Sequence, residues 1–140
     1  MADLSVLIRL HKHELDEKRR ALSSLYTEMA LLENQRLALE QEFGREKAAA
    51  SDVQDIHYTF PLYAEKVQKR REELDKAARL LEVKIDAAKE TLMETFSELK
   101  KYEMTQEERD RLEREEQLIR ENANFDAIAL EGFSRKKSEE

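Results

Sequence analysis

The chain of 140 residues contains no cysteine, no tryptophan, one proline and two glycines. Without cysteine, neither a disulfide framework nor a cysteine-ligated zinc site can form. The tight turns of β-sandwiches and β-barrels need glycine and proline, so the shortage of both disfavours these folds. No apolar run approaches the roughly 18 residues of a membrane-spanning helix, and the first ten residues do not resemble a secretory signal. We therefore expect one soluble, intracellular domain that does not insert into a membrane.

Charged residues make up 41% of the chain and give it a net charge of −7, which disfavours nucleic acid as the main partner. Basic clusters at residues 18–20 and 69–71 have acidic residues at helical spacing, as in Glu14 with Lys18 and Glu65 with Lys69. Such spacing favours solvated ion pairs along a helix over an anion-binding site. Abundant Glu, Lys, Arg, Leu and Ala with little Gly or Pro indicates long helices.

Two apolar stripes repeat with alternating steps of three and four residues, which is the pattern of a coiled-coil seam. The first has nine apolar residues among twelve positions and the second eleven among thirteen. The first stripe comprises Leu4, Ile8, His11, Leu15, Lys18, Leu22, Leu25, Met29, Leu32, Arg36, Leu39 and Phe43. The second comprises Phe60, Ala64, Val67, Arg71, Leu74, Ala78, Leu81, Ile85, Ala88, Leu92, Thr95, Leu99 and Tyr102.

So thin a stripe cannot be buried by one isolated helix, but the two stripes can bury each other. Folding the chain back about Asp55 places Phe43 opposite Val67 and Leu25 opposite Ile85, with both seams in phase. We therefore predict an all-α fold. Its architecture is a long antiparallel two-helix coiled-coil hairpin with a C-terminal helical extension and a frayed tail, and its shape is a rod without a compact core.

The predicted boundaries within this single domain are helix one at 3–50, a tip loop at 51–59, helix two at 60–121 and a flexible tail at 122–140. Thr59 is a suitable N-cap, and Pro61 belongs in the first helical turn, where its missing N–H costs little. Asn122 and Asn124 are stop signals. Thr105 either opens a new helix as part of a capping box or lies inside a continuing one.

No catalytic residue, cofactor or metal site is expected, and we expect no enzymatic activity. His11 and His13 lie on different helix faces, which disfavours a shared metal ion. No phosphate-binding loop or nucleophile motif is present. For the polar residues in the seams, the favoured interpretation is that their methylene groups pack in the seam while their charged ends reach water. The alternative is that they fix the register or keep the hairpin marginally stable. These residues are His11, Lys18, Arg36 and Arg71.

Two regions contain more apolar residues than the pairing of the two helices can bury. They are the tip of the hairpin and the end that carries both termini. At the tip they either close the loop over its own helices or bind a partner. At the terminal end they favour a partner or self-association. The tip set is Ile56, Tyr58, Leu62 and Tyr63, and the terminal set is Leu7, Leu10, Met104, Leu112, Ile119, Phe125, Ile128 and Phe133.

Four segments together with the length and the hairpin plan are similar to a known family. They are LIRLH at 7–11, DEKRR at 16–20, FSELKKYE at 96–103 and FDAIAL at 125–130. The chain resembles the FliJ family of flagellar type III export proteins, and most of all its alphaproteobacterial members.

The resemblance implies a non-catalytic stalk or adaptor that couples a hexameric export ATPase to the membrane-embedded export gate and assists export chaperones. It implies a cytoplasmic protein peripheral to the inner-membrane export apparatus. The end carrying both termini would engage the ATPase, which makes Leu7, Ile8, Arg9, Tyr102 and Glu103 candidate contacts. Exposure at the tip adds Tyr58, Leu62 and Tyr63 as candidate partner-binding residues.

Other assignments remain open from the sequence. The sequence does not distinguish a flagellar export component from its counterpart in a virulence secretion system. A structural homo-oligomeric coiled coil would show the same seams, as would a chaperone-like hairpin of prefoldin type. A prefoldin needs additional β-strands to assemble, and the sequence shows no pattern of this kind.

Overall fold

Two long α-helices make up the fold in a computed structural model that describes residues 3–52 and 59–139. Helix α1 runs from Ser5 to Asp52 and helix α2 from Phe60 to Ser138. The two helices pack against each other and no strand occurs within the described ranges, which confirms the predicted all-α helical hairpin. The start of α1 is fixed by Asp3, whose carboxylate accepts bonds from the backbone N–H of Ser5 (3.0 Å) and from its hydroxyl (2.9 Å).

The chain divides into two compact units, each containing a part of both helices. The central unit comprises His13–Phe96, and the terminal unit comprises Met1–Lys12 together with Ser97–Glu140.

The core of the central unit is the predicted seam. All its seam positions are buried or half-buried except Lys18, which is exposed. Because only one stripe of each helix is covered, the core is one layer thick and every side chain in it keeps some exposure. The most buried side chains here are Leu15, Val67, Leu74, Ala78, Leu81, Ile85 and Thr95.

In the terminal unit, the first residues of α1 pack against residues 97–109 of α2. The backbone N–H of Leu4 donates to Oε1 of Gln106 at 3.0 Å, and Leu99 is buried. The ring of His11 stacks on Tyr102 with centroids 4.8 Å apart. Leu4 and Gln106 lie equally far from Asp55 along the sequence, as the predicted register requires.

The start of α2 also follows the prediction. The helix begins at Phe60, directly after Thr59, and Pro61 lies in its first turn. Of the predicted tip loop, Ser51 and Asp52 still belong to α1, and residues 53–58 lie outside the described residues. Differences of one or two residues at helix ends are ordinary fraying.

The predicted end of helix two at 121 is wrong, because α2 continues through Asn122 and Asn124 to Ser138. Asparagine lowers helix propensity only modestly, and neither residue adopts a positive φ. Ion pairs one turn apart support this part of the helix, between Arg120 and Glu116 and between Arg135 and Glu131. Thr105 likewise lies inside the continuing helix, where its hydroxyl donates to the carbonyl of Lys101 at 2.8 Å.

Gly44 lies within α1, and a Cβ added there meets no atom within 4 Å. We expect Gly44→Ala to raise the free energy of unfolding by about 0.5–1 kcal/mol, because alanine restricts the unfolded chain and fits the helical backbone. Urea unfolding followed by circular dichroism measures this change. The reverse substitution at an exposed position of the same helix, Ala30→Gly, should lower stability by a similar amount. A destabilising Gly44→Ala would contradict the helical assignment at this residue.

Candidate partner-binding surfaces

Arg71 in the central unit is a seam residue that binds across to α1. Its Nε and Nη2 atoms donate to the two carboxylate oxygens of Glu40, the second at 2.8 Å. Its guanidinium carbon also lies 4.7 Å from the centre of the Phe43 ring. The paired hydrogen bonds and the stacking on an aromatic ring both depend on the planar guanidinium, so lysine cannot replace it.

Arg36 makes a similar crossing from α1 to α2. It forms an ion pair with Asp75 on α2 and a second one with Glu33 on its own helix at 3.1 Å. The favoured expectation that polar seam residues merely extend to water therefore fails for Arg36 and Arg71, although Lys18 is exposed as that expectation requires. In a hairpin centred on Asp55, Arg36 faces Leu74 and binds the next residue, Asp75. Arg71 faces Leu39 and binds the next residue, Glu40, so both arginines are placed to fix the register.

The ion pair with Arg71 holds the pKa of Glu40 below its usual value, and the hydrogen bond from the guanidinium is the main cause. The pKa of Arg71 is raised in return by the same hydrogen bond. These shifts follow from pairing, because both side chains remain partly exposed. The cluster is therefore a cross-link between the helices whose strength depends on the ionisation of Glu40.

An aromatic cluster lies in the central unit where α2 begins. Phe43 stacks with Phe60 at 6.0 Å and with Tyr63 at 6.3 Å between ring centroids. The hydroxyl of Tyr63 is buried and has no hydrogen-bond partner among the described residues. Burial raises the pKa of Tyr63, and the carboxylates of Glu42 and Glu46 add to this effect.

The three candidate tip residues differ in their availability. Leu62 is 62% exposed and can meet a partner, whereas Tyr63 packs inward on Phe43. Tyr58 lies outside the described residues. The alternative that these aromatics close over their own helices thus describes Tyr63, while Leu62 keeps the role of an exposed contact.

The five candidate residues in the terminal unit also divide into two groups. Leu7 and Arg9 are exposed, whereas Ile8 and Tyr102 are half-buried where α1 meets α2. Glu103 is half-buried and accepts a bond from Lys100 at 3.2 Å. The sequence periodicity already assigned Ile8 and Tyr102 to the seam, so a partner could reach them only at their edges.

Exposed apolar side chains in the terminal unit extend beyond the candidate residues. Leu7 and Leu10, three residues apart on one side of α1, are 40% and 51% exposed. Val6, which the predicted terminal set leaves out, is 72% exposed, and Met104 on α2 is 66% exposed. An open groove of about 370 Å³ between the two helices is lined by Ile8, Lys12, Lys100, Glu103, Met104, Gln106, Glu107 and Asp110.

Beyond Arg109, every described residue of the terminal unit is exposed, because helix α1, which begins at Ser5, does not lie against this part of α2. Seven large apolar side chains of this segment are exposed, and five of them belong to the predicted terminal set. They are Leu112, Leu118, Ile119, Phe125, Ile128, Leu130 and Phe133.

Two smaller grooves lie between the helices of the central unit. One of about 170 Å³ lies beside Arg36 and Arg71, and another of about 230 Å³ lies beside Leu32 and Leu80. Both are below the roughly 300–1,000 Å³ that is usual for small-molecule sites. Among residues 3–52 and 59–139, no group of three or more metal-ligating side chains forms a candidate metal site. No helix in these ranges is both long enough and apolar enough to cross a bilayer.

Comparisons of the chain with protein-family models, with curated proteins and with solved structures return no match. The family resemblance therefore stands on the four sequence segments alone, and the surfaces described above stand on the geometry alone.

The cross-link between Arg71 and Glu40 predicts a pH-dependent coupling between the two residues. Because its pKa is lower in the folded state, Glu40 stabilises the fold above its unfolded pKa near 4.5, and this stabilisation is lost as the pH falls through the folded value. In a double-mutant cycle of Arg71→Met and Glu40→Gln, we expect non-additive losses of stability at neutral pH and additive losses in acid.

The matched control is the pair Arg70 and Glu73, which lies within α2 with 3.0 Å between its charged atoms. It does not join the helices, so its cycle should show a smaller coupling. Urea unfolding at several pH values measures both cycles. Additive losses for Arg71 and Glu40 at neutral pH would contradict a cross-link between the helices.

The buried hydroxyl of Tyr63 predicts that Tyr63→Phe leaves stability unchanged or raises it, since an unsatisfied polar group is removed while the stacked ring stays. In the parent protein, absorbance titration should show a tyrosine that ionises above its usual pKa, and the variant should lack this step. Tyr26→Phe, at an exposed tyrosine, should leave the step in place. A marked loss of stability in Tyr63→Phe would mean that the hydroxyl has a bonding partner.

Proposed function

We propose that the chain is a non-catalytic stalk or adaptor of a flagellar type III protein export apparatus. In this role it couples the hexameric export ATPase to the membrane export gate and assists export chaperones. It acts in the cytoplasm, at the periphery of the inner-membrane apparatus, and it needs no cofactor.

The observation that carries the proposal is the exposed apolar side of α1 in the terminal unit, formed by Leu7 and Leu10 beside Arg9. Apolar side chains that their own fold leaves uncovered are typical of protein-binding surfaces. This surface lies within the LIRLH segment, which is one of the segments similar to the FliJ family. The antiparallel pairing of two long helices is the fold that this family resemblance implies.

The contacts within the fold suit an adaptor in a second way. The ion pairs of Arg71 with Glu40 and of Arg36 with Asp75 fix one helix relative to the other within the central unit. An element that transmits a position from one partner to another needs such a fixed register. The chemistry of ATP hydrolysis would remain with the ATPase.

The proposal predicts that the purified chain binds a hexameric export ATPase and raises its ATP turnover or promotes its ring assembly. The variant Leu7→Glu/Leu10→Glu should weaken binding at least tenfold, about 1.4 kcal/mol, because it places charge in the apolar contact. Binding is measured by sedimentation or biolayer interferometry, and turnover by phosphate release.

The control variant is Leu31→Glu in the central unit, where the leucine is 59% exposed and lies outside the proposed surface. It should bind and stimulate as the parent does, and circular dichroism should show equal helix content in all variants. Absence of binding and of stimulation by the parent chain would overturn the proposal. Equal loss in Leu31→Glu would show that the surface is assigned wrongly.

A further inference from the structure

The start of α1 carries more apolar surface than one partner helix can cover. Five of the eight residues 4–11 are apolar, whereas only one of the next eight is. At 100° per residue the five span an arc of about 200°, and Ser5 and Arg9 lie on the opposite side. We call residues 4–11 the α1 strap, and its apolar side chains are Leu4, Val6, Leu7, Ile8 and Leu10.

Helix α2 covers only one part of this arc. Leu4 and Ile8 are half-buried in the pairing with α2, whereas Val6, Leu7 and Leu10 are exposed. The apolar stripe of a helix that packs on one surface is typically about 100° wide or somewhat more. The wider arc of the α1 strap suits a groove that encloses a helix, and the pairing with α2 leaves one side of it uncovered.

The cover that α2 provides at the strap is also thin. Leu99 is buried there, but Tyr102 and Gln106, the next seam residues of α2, are only half-buried. In the predicted register Leu4 faces Gln106 and Leu99 faces His11, so apolar side chains meet polar ones. Less apolar surface is thereby removed from water, and the burial of apolar surface is the main term that keeps two such helices together.

We infer that the α1 strap opens from α2 in the free chain, and that the open strap binds as a helix in an apolar groove of the partner. The inference rests on the proposed function and deepens it, because it adds Leu4 and Ile8 to the contact made by Leu7 and Leu10. A groove that encloses the whole arc occupies the space that α2 takes, so the strap must leave α2 before it binds.

The backbone at the start of the strap is prepared for this step. The carboxylate of Asp3 accepts the N–H of Ser5 at 3.0 Å, and the carbonyl of Leu4 accepts the N–H of Ile8 at 2.9 Å. Both bonds are local and survive separation from α2, whereas the bond from the N–H of Leu4 to Gln106 is lost. The partner and α2 compete for Leu4 and Ile8, so the affinity for the partner depends on the open fraction of the strap.

Thiol reactivity measures the opening in the free chain, which has no cysteine of its own. Leu99→Cys places a thiol where α2 faces the strap, and Leu81→Cys places one in the central seam of the same helix. Leu99 is 4% exposed and Leu81 is 7% exposed, so static burial predicts no faster reaction at residue 99. Opening predicts that Leu99→Cys reacts with dithionitrobenzoate at least about tenfold faster than Leu81→Cys.

Urea unfolding of both variants checks that a difference in global stability does not account for the rates. Equal or slower reaction of Leu99→Cys would overturn the inference, because the strap would then stay closed as firmly as the central seam.

A disulfide that holds the strap closed tests the binding step. Leu4 faces Gln106 in the predicted register, so Leu4→Cys/Gln106→Cys can be oxidised across the pairing. The control is Leu25→Cys/Ile85→Cys, a facing pair in the central unit. Oxidation of the first variant should weaken binding to the hexameric export ATPase at least about tenfold, and reduction should restore it. The control should bind equally in both states.

The outcomes separate this inference from the proposed function. If the oxidised strap variant binds as tightly as its reduced form, the partner docks on the closed pairing, and the inference is wrong while the proposed function stands. Equal loss in the oxidised control would also contradict the inference, since the strap would not be the part that moves. If the parent chain does not bind the ATPase, the proposed function and the binding step both fail, and the thiol rates alone decide whether the strap opens.

Discussion

Each helix of this protein carries an apolar stripe too narrow to be buried alone, and the fold depends on the burial of each stripe by the other. The covered layer is one side chain deep, so even Val67 and Leu74 keep 3% of their surface exposed. Charged groups at the edge of such a seam stay close to water, and the pKa shifts of Glu40 and Arg71 come from their hydrogen bond more than from burial. Glu40 shows this, because the hydrogen bond from Arg71 lowers its pKa while the side chain remains half exposed.

A seam with a repeating pattern leaves the register weakly determined, because leucine packs almost equally well against leucine one turn away. Charged crossings remove this ambiguity, since a carboxylate one turn out of place leaves its arginine without a partner. Arg36 and Arg71 bind Asp75 and Glu40 from opposite helices, so the two crossings act in both directions. Arg36 and Arg71 are therefore placed to select one register, even if the net stability that they add is small.

The periodicity of the sequence predicted which residues face the partner helix, because burial of a stripe depends only on its phase along the helix. The facing pairs were predicted less well where long side chains meet. Arg71 was placed opposite Leu39 and binds the adjacent Glu40, and Tyr102 was placed opposite Ile8 and stacks on His11. The end of a long or planar side chain can contact a residue one turn or one position away from the residue that faces its own Cα. The apolar periodicity of the sequence carries no information about this displacement.

The error at the C-terminal end of α2 has a different origin and a consequence for binding. Local propensity predicts helix stops at Asn122 and Asn124, but α2 continues through both residues to Ser138, with ion pairs one turn apart on either side of them. A frayed tail would scatter Phe125 and Phe133, whereas a continuous helix lines them up with Ile119 on one side. The terminal unit thus presents two separate sets of exposed apolar side chains, since Leu7 and Leu10 lie on α1 and the others lie on α2 beyond Arg109. Because the two sets share no residue, occupation of one does not by itself exclude occupation of the other.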